Sequence, residues 1–554
     1  MDQNQRLLLA FVVSFAVLLT WRMFFLKAPP PPPPARRPPV QKPQPAVPAP
    51  PRLSVVRASE AREITVEGGD LYRITLSTRG ATVTSWVLKK YLDEKNQPLD
   101  VVDRAACETL GYPMSLNLAD SILAGELNTA LYVATPSAPS LQAPLKMEFV
   151  YSDGKIQARK EFSFGPSYQI EVELSVADGP QYLPVEVSWP GGFGDHSLPY
   201  AQQSALRQAV YHTTQDLVRV PERKVDEDRS IPGPLDYAGM EDRYFVNILF
   251  PGSQDQAFRF GRRALAPTDQ KEKDTPRALT AMLGSPLPKP LAFRMFVAPK
   301  DIDVLRTASP PLEGLIDFGW FSFIAKPLFL AMRYVYDHWT HNYGWAIILL
   351  TIVINLAMFP LKLKSIQSAQ KMQRIAPLVK SIQDRYKQYK FNDPRKQRMN
   401  QEVMKLYQEH GINPVGGCLP MALQIPFLYG FYNVLNQAIE LRHAPWTLWI
   451  KDLSAPDRLP VFGYHIPVLV ILMIVTTFVL QKMTPMATAD PAQQRMMMIM
   501  PLFLGVMFYN FASGLVLYWL TGNLVGLAQQ TLINRKMPGP QNVQAARRPS
   551  EARD

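Results

Sequence analysis

Polar side chains sit inside segments of this chain that are otherwise apolar. Thr351 and Asn355 are four residues apart in WAIILLTIVINLAMFPL (345–361), so a helix places them on one face. Gln424 interrupts 418–438, Thr476 and Thr477 interrupt 466–482, and Thr521 and Asn523 interrupt 515–533. A polar group in hydrocarbon is costly and faces a cavity or a partner helix. One Thr or Asn is well explained as a hydrogen bond between helices. The whole set, spread over several segments, points to a shared wet recess with Thr351, Asn355 and Gln424 on its walls. The chemistry on offer there is hydration and hydrogen bonding. None of these segments contains Asp or Glu, and the chain has no GxxxxGK[ST] phosphate loop. Seven histidines and two cysteines show no metal-ligand spacing. No cofactor and no metal is expected.

These side chains need helices across a bilayer to hold them. Five segments read as spans: 345–361, 418–438, 466–482, 496–511 and 515–533. The first rises only about 25 Å, against about 30 Å of hydrocarbon, and the fourth is shorter still. Short spans thin the bilayer around them. Thinning and a wet recess both ease the passage of a polar segment. The loop 483–495 and the start of the fourth span are rich in methionine (Met483, Met486, Met496, Met497, Met498, Met500), a side chain suited to varied apolar partners.

Upstream, 1–27 reads as an uncleaved transmembrane signal-anchor, because Trp21 to Phe25 leave no small-residue cleavage site. Residues 28–52 form a proline-rich linker, part of a total of 52 prolines, which excludes helix and sheet there. From 53 to 305, short alternating runs such as LYRITLST (71–78) and YQIEVELSV (168–176) predict an antiparallel β-sandwich. His196 and His212 lie in this region and read as ordinary surface or core residues. A carbohydrate-type site around them is the alternative, and it would make the chain a membrane enzyme or transporter. Residues 312–340, broken by Lys326, Pro327 and Arg333, read as an amphipathic helix in the membrane interface. The fold class is thus a multi-domain membrane protein: an anchor, a β-sandwich and a five-span α-helical core.

Charge orients the chain. The net charge is +12, and most of the excess flanks apolar segments, which makes membrane lipids the expected partner and not DNA. The segment 362–411 carries twelve basic residues, from Lys362 to Lys405, against four acids. Short basic loops stay in the cytoplasm. That puts 483–495 and the basic tail 534–554 in the cytoplasm with Met1, and 439–465 and the β region outside. Cys107 and Cys418 fall on either side of this division, so no disulfide framework is expected. The basic loop itself predicts a helical hairpin. Val379, Ile382, Tyr386 and Tyr389 face Met399, Val403, Leu406 and His410, and Asp393-Pro394 starts the second helix.

Two stretches, NPVGGCLPMALQIPFLYGFY (413–432) and SGLVLYWLTGNL (513–524), resemble the YidC-type membrane protein insertases. The layout of the whole chain resembles the Gram-negative branch, and LSTRGATVTSWVL (76–88) adds a weaker likeness in the β region. The resemblance implies a nucleotide-independent insertase and chaperone of the bacterial inner membrane. Nascent membrane proteins would be its substrates, and the Sec translocon and the ribosome its partners. It implies a groove lined by Thr351, Gln424 and Trp519, alongside Asn355 and Asn523. It implies a sliding face of Ile425, Leu428, Leu502 and Met507. One position departs from the family pattern. Five residues before Pro360, where the family carries a groove arginine, this chain has Asn355. The resemblance and the departure together imply a groove that is wet rather than positive.

Overall fold

Residues 54–536 are described by the computed structural model, apart from 94, 198–199, 215, 266–275, 390–392, 412–418 and 485–490. The expected anchor, the linker, Cys418, Met486 and nearly all of the basic tail lie outside the described residues.

Two-residue alternation builds the β region. In Ile156–Phe164 every second side chain is buried, as a strand with one face on a core requires. Nine strands from Leu217–Pro221 to Val133–Thr135 line up in the main sheet, with Gln181–Tyr182 as a tenth paired to Gln169–Asp178. Two sheets of five strands accompany it. The ladders are antiparallel, as the alternation predicts, with one correction: Glu63–Gly68 pairs in parallel with Ser140–Gln142. The two histidines stay apart. His196 meets Val101 O and Arg207, while His212 stacks on Tyr237 and meets Asp236 Oδ2 at 2.7 Å. No cluster of metal-ligating side chains occurs among the described residues.

Cys107 is a free, buried thiol whose pKa burial pushes up to about 12. Thiolate is the reactive form, and burial suppresses it. Maleimide labelling of the folded chain at pH 8 should leave Cys107 untouched and reach it once the β region unfolds.

After the sheets and the short helix Ile302–Arg306, the described residues hold eight longer helices: α1 (Ser322–Val335), α2 (Tyr343–Ala357), α3 (Phe359–Arg385), α4 (Pro394–Glu409), α5 (Leu419–Gln437), α6 (Val468–Met483), α7 (Pro491–Phe508) and α8 (Ser513–Lys536). Asn342 starts α2 by accepting hydrogen bonds from the N–H groups of Gly344 and Trp345. The stretch 345–361 does not run as one helix. Pro360 has no N–H to give Leu356, so α2 stops at Ala357 and α3 begins at Phe359. Among the described residues no single helix is long and apolar enough to cross a membrane. The bent pair Ser322–Thr340 and Tyr343–Ala357 meets the test together, across a 116° turn. α8 has the length, but Thr521, Asn523, Gln529 and Gln530 dilute its apolar character.

α3 and α4 form the expected hairpin, capped at Asp393. Its seam holds Met372, Ile375 and Val379 against Val403, Leu406 and Tyr407. Tyr386 instead donates to Glu402, Tyr389 lies under the Arg395 guanidinium, and His410 is exposed. α3 continues through Pro377, where the sequence predicts a kink or a fresh start.

The sheets and helices share one continuous hydrophobic core, from Ile64 to Leu520. Polar ties secure the junction. Arg243 donates to the carbonyl and side-chain oxygens of Asn436 on α5, and Asn433 Nδ2 donates to Phe318 O at 2.8 Å. Arg442 pairs with Asp195 at 2.5 Å.

Candidate intramembrane groove

A cavity of about 560 Å³ opens among α2, α3, α5, α6, α7 and α8. Asn355, Gln424, Trp519 and Asn523 line it, as do Ile425 and Leu428. The walls are mostly apolar and carry neutral polar groups. No carboxylate lines the cavity among the described residues.

Each polar wall residue is held by its own network. Asn523 Nδ2 donates to Met473 O (3.3 Å), Thr476 Oγ1 (3.1 Å) and Thr477 Oγ1 (2.7 Å), so it also ties α8 to α6. Both readings of these residues therefore hold at once: Asn523 and Thr477 join helices and line the recess. Gln424 hydrogen-bonds the side chain of Tyr518. Trp519 packs edge-on against Phe508. Asn355 donates from Nδ2 to Thr351 O (2.9 Å), and its own carbonyl accepts from Gln529 Nε2 (3.1 Å).

Thr351 is not on the wall. It is fully buried, and its hydroxyl donates to Ile347 O at 2.6 Å within the same helix. Thr521 is also buried away from the cavity. The apolar residues divide as well. Ile425 is 55% exposed, Leu502 62% and Met507 44%. Met500 and Leu504 mark the cavity side of α7. At 100° per residue, Leu502 projects from the opposite side and Met507 from nearly the same side. Leu502 is thus an outward-facing apolar residue of α7.

Two family models match: the YidC periplasmic domain over residues 63–331, and the 60Kd inner membrane protein over residues 335–541. A membrane protein insertase from Syntrophobacter fumaroxidans is 34% identical over 576 residues, which cover 96% of this chain and all of that protein. The chain belongs to the YidC family of membrane protein insertases. An insertase from Pelobacter propionicus is 35% identical over 514 residues, 89% of this chain and 90% of its own. A crystal structure of an active YidC insertase covers 86% of this chain and 93% of its own, at 19% identity and a TM-score of 0.35. As a member of the family, the chain is an inner membrane insertase and not an enzyme, and its β region is the family's periplasmic domain.

One wall residue was missed from the sequence. Lys362 counts there as the first charge of the basic cytoplasmic loop. In the structure it belongs to α3, lines the cavity, and its Nζ donates to Asn355 Oδ1 at 2.6 Å. An ammonium only donates, so this contact fixes which atom of the Asn355 amide is oxygen. The expectation of an uncharged groove is corrected: this insertase has a cation in its cavity, seven residues after Asn355. Lys362 lies in the first turn of α3, just past the break after Ala357, so a charge beside a helix break is the signal that could have found it.

Proposed function

We propose that the cavity receives the polar part of a nascent membrane protein while its apolar segment slides out along α5 and α7 into lipid. A single observation carries this reading. The cavity combines fixed hydrogen-bonding groups with an apolar lip, where Ile425 and Leu428 line it and Ile425 is exposed. Asn355, Gln424 and Asn523 replace water around polar groups of the entering chain, and Trp519 forms an apolar wall beside them. Met507 extends the lip along α7, Leu502 adds lipid contact on its outer side, and Thr351 supports Asn355 from behind.

In this reading the helical region crosses the inner membrane five times. The α3–α4 hairpin, both termini and the basic tail lie in the cytoplasm. There the hairpin and tail offer positive charge to lipid headgroups or to a ribosome, and the Sec translocon is a second route for substrates. The broken helices suit the task. Irregular backbone at membrane depth is tolerated where it lines a cavity, and short helices thin the bilayer over it.

Depletion followed by pulse-labelled insertion of a small single-span substrate with a short translocated tail tests the proposal. Asn355→Leu should slow insertion about tenfold, the effect of removing roughly one charge-assisted hydrogen bond from the wall. Unchanged insertion by Asn355→Leu would refute the groove.

A further inference from the structure

The loop between α5 and α6 holds the three most exposed large apolar side chains among the described residues: Phe462 (98%), Leu448 (81%) and Tyr464 (77%). Phe462 and Gly463 form the two-residue turn of a β-hairpin in which Leu459–Val461 pairs antiparallel with Tyr464–Ile466. Both have positive φ (49° and 84°), as a type I′ turn requires. Leu448 also has positive φ (55°). Gly or Asn takes such a position with little strain, whereas a bulky apolar residue there is an outlier. Two apolar side chains held on this backbone, and packed on almost nothing in the chain, mark a contact with something outside it.

Their place in the fold says what that is. Asp457 fixes the base of the loop. Its carboxylate accepts from Trp449 Nε1 (2.7 Å), beside Leu448, and from the N–H of Leu469 in the first turn of α6. The β-hairpin then runs through Pro467 straight into α6. On α6, Ile471, Val475 and Val479 form an exposed apolar stripe at four-residue spacing, the side a span turns to lipid. The 16 residues of α6 rise about 24 Å, about 6 Å short of the hydrocarbon thickness. Trp345, at the start of α2, is exposed and packs edge-on against Trp446, two residues before Leu448. Aromatic rings collect at headgroup depth. Lys451 and Arg458 are exposed in the same loop, where long basic side chains reach lipid phosphate.

We propose that this loop is an outer-leaflet anchor: Phe462, Tyr464 and Leu448 enter the phospholipid interface and hold the outer end of α6, a span too short to reach both headgroup layers by itself. The inference rests on α6 spanning the membrane and not on what the cavity receives. Open strand edges do not enter hydrocarbon, so the β-hairpin stays at headgroup depth and only its apolar tips go deeper.

The test uses the full chain in phospholipid nanodiscs, with Cys418→Ser and a spin label on His465→Cys, which leaves all three anchor residues in place. Cys107 is buried and does not compete for the label. The readout is the collision rate with oxygen, which concentrates in lipid, divided by that with a water-soluble nickel chelate. A second label, on Val475→Cys, reads lipid on α6. The His465 label should give a ratio between that lipid value and the value in water. Adding Leu448→Asn and Phe462→Asn should lower the ratio about tenfold, the effect of losing roughly half the burial of two large apolar side chains. Asn tolerates positive φ and Asn-Gly is a favoured type I′ pair, so the loop keeps its fold in that variant. The inference is overturned if the His465 label reads water, or if the double Asn variant leaves the ratio unchanged. Shielding of the label from both oxygen and nickel chelate also overturns it, because a protein then covers the loop. If the Val475 label reads water, α6 is not in lipid, and the membrane reading of the helical region fails along with this inference.

Discussion

Replacing Arg442 with alanine should loosen the β region from the helices by about 3–5 kcal/mol, the usual cost of breaking a buried ion pair by removing one partner. Arg442 and Asp195 meet at 2.5 Å with side chains only 5% and 12% exposed. The guanidinium also lies over the rings of Tyr244 and Phe245. Truncation strands the Asp195 carboxylate, which among the described residues keeps its bonds from Ser197 on the other oxygen. Asp195→Ala strands Arg442 in turn. The double variant should cost less than the sum of the two, since neither charge is then left alone. Limited trypsin digestion at the junction reads the effect. Where cleavage tracks the open fraction, 3 kcal/mol corresponds to about a hundredfold faster cutting. Equal resistance in all three variants would mean the pair does not hold the junction. Insertion rates in the same variants carry a second answer. Gln424, on the groove, and Asn436, at the junction, are twelve residues apart on α5, about 18 Å along its axis. Undocking should therefore leave groove entry largely intact. A large loss of insertion would show that the periplasmic domain is coupled to the groove through α5.

What could be read without coordinates follows the strength of local signals. Alternation placed the runs 71–78 and 168–176 to within two residues of strands Tyr72–Ser77 and Gln169–Asp178, because one buried face forces a two-residue period. The Asp393-Pro394 pair gave the start of α4 for the same local reason. The strand order within the sheets, and the parallel pairing of Glu63–Gly68 with Ser140–Gln142, depend on contacts distant in sequence and left no local trace. In the helical region Asn355, Gln424 and Asn523 were legible as wall residues because a polar side chain in an apolar segment needs a reason to be there, and Trp519 followed from the family resemblance. Thr351 shows where that logic ends. A threonine can satisfy itself on its own helix, at Ile347 O, and then needs no cavity. Lys362 shows a second limit. A basic residue after an apolar segment looks like a loop charge until a helix break turns it back over Asn355.

The other large effect is expected at Lys160, in the core of the β region. This lysine is fully buried on strand Ile156–Phe164. Its Nζ donates to Gly80 O (2.6 Å), Ala81 O (3.2 Å) and Met114 O (2.6 Å), which uses all three ammonium protons. Those residues have positive φ (69°, 48° and 74°), a turned backbone around the carbonyls that meet the lysine. Lys160→Met keeps most of the volume and removes every donor. Three buried carbonyls then go unpaired, and at the lower end of the usual cost, about 1–1.5 kcal/mol each, the β region should lose about 3–5 kcal/mol. Denaturant titration of the full chain checks this, with maleimide access to Cys107 reporting when the region opens. The pH dependence has a definite sign. Burial pushes the Lys160 pKa down to about 7. The unfolded lysine keeps its ordinary value near 10.4. Between those values the unfolded chain holds more protons than the folded one, so folding gains stability as pH rises. The gap between wild type and Lys160→Met should therefore widen above pH 7, by at most about 1.4 kcal/mol per pH unit. A gap that narrows with rising pH would instead mean that the three carbonyls outweigh burial and hold the proton more tightly in the fold than in the open chain.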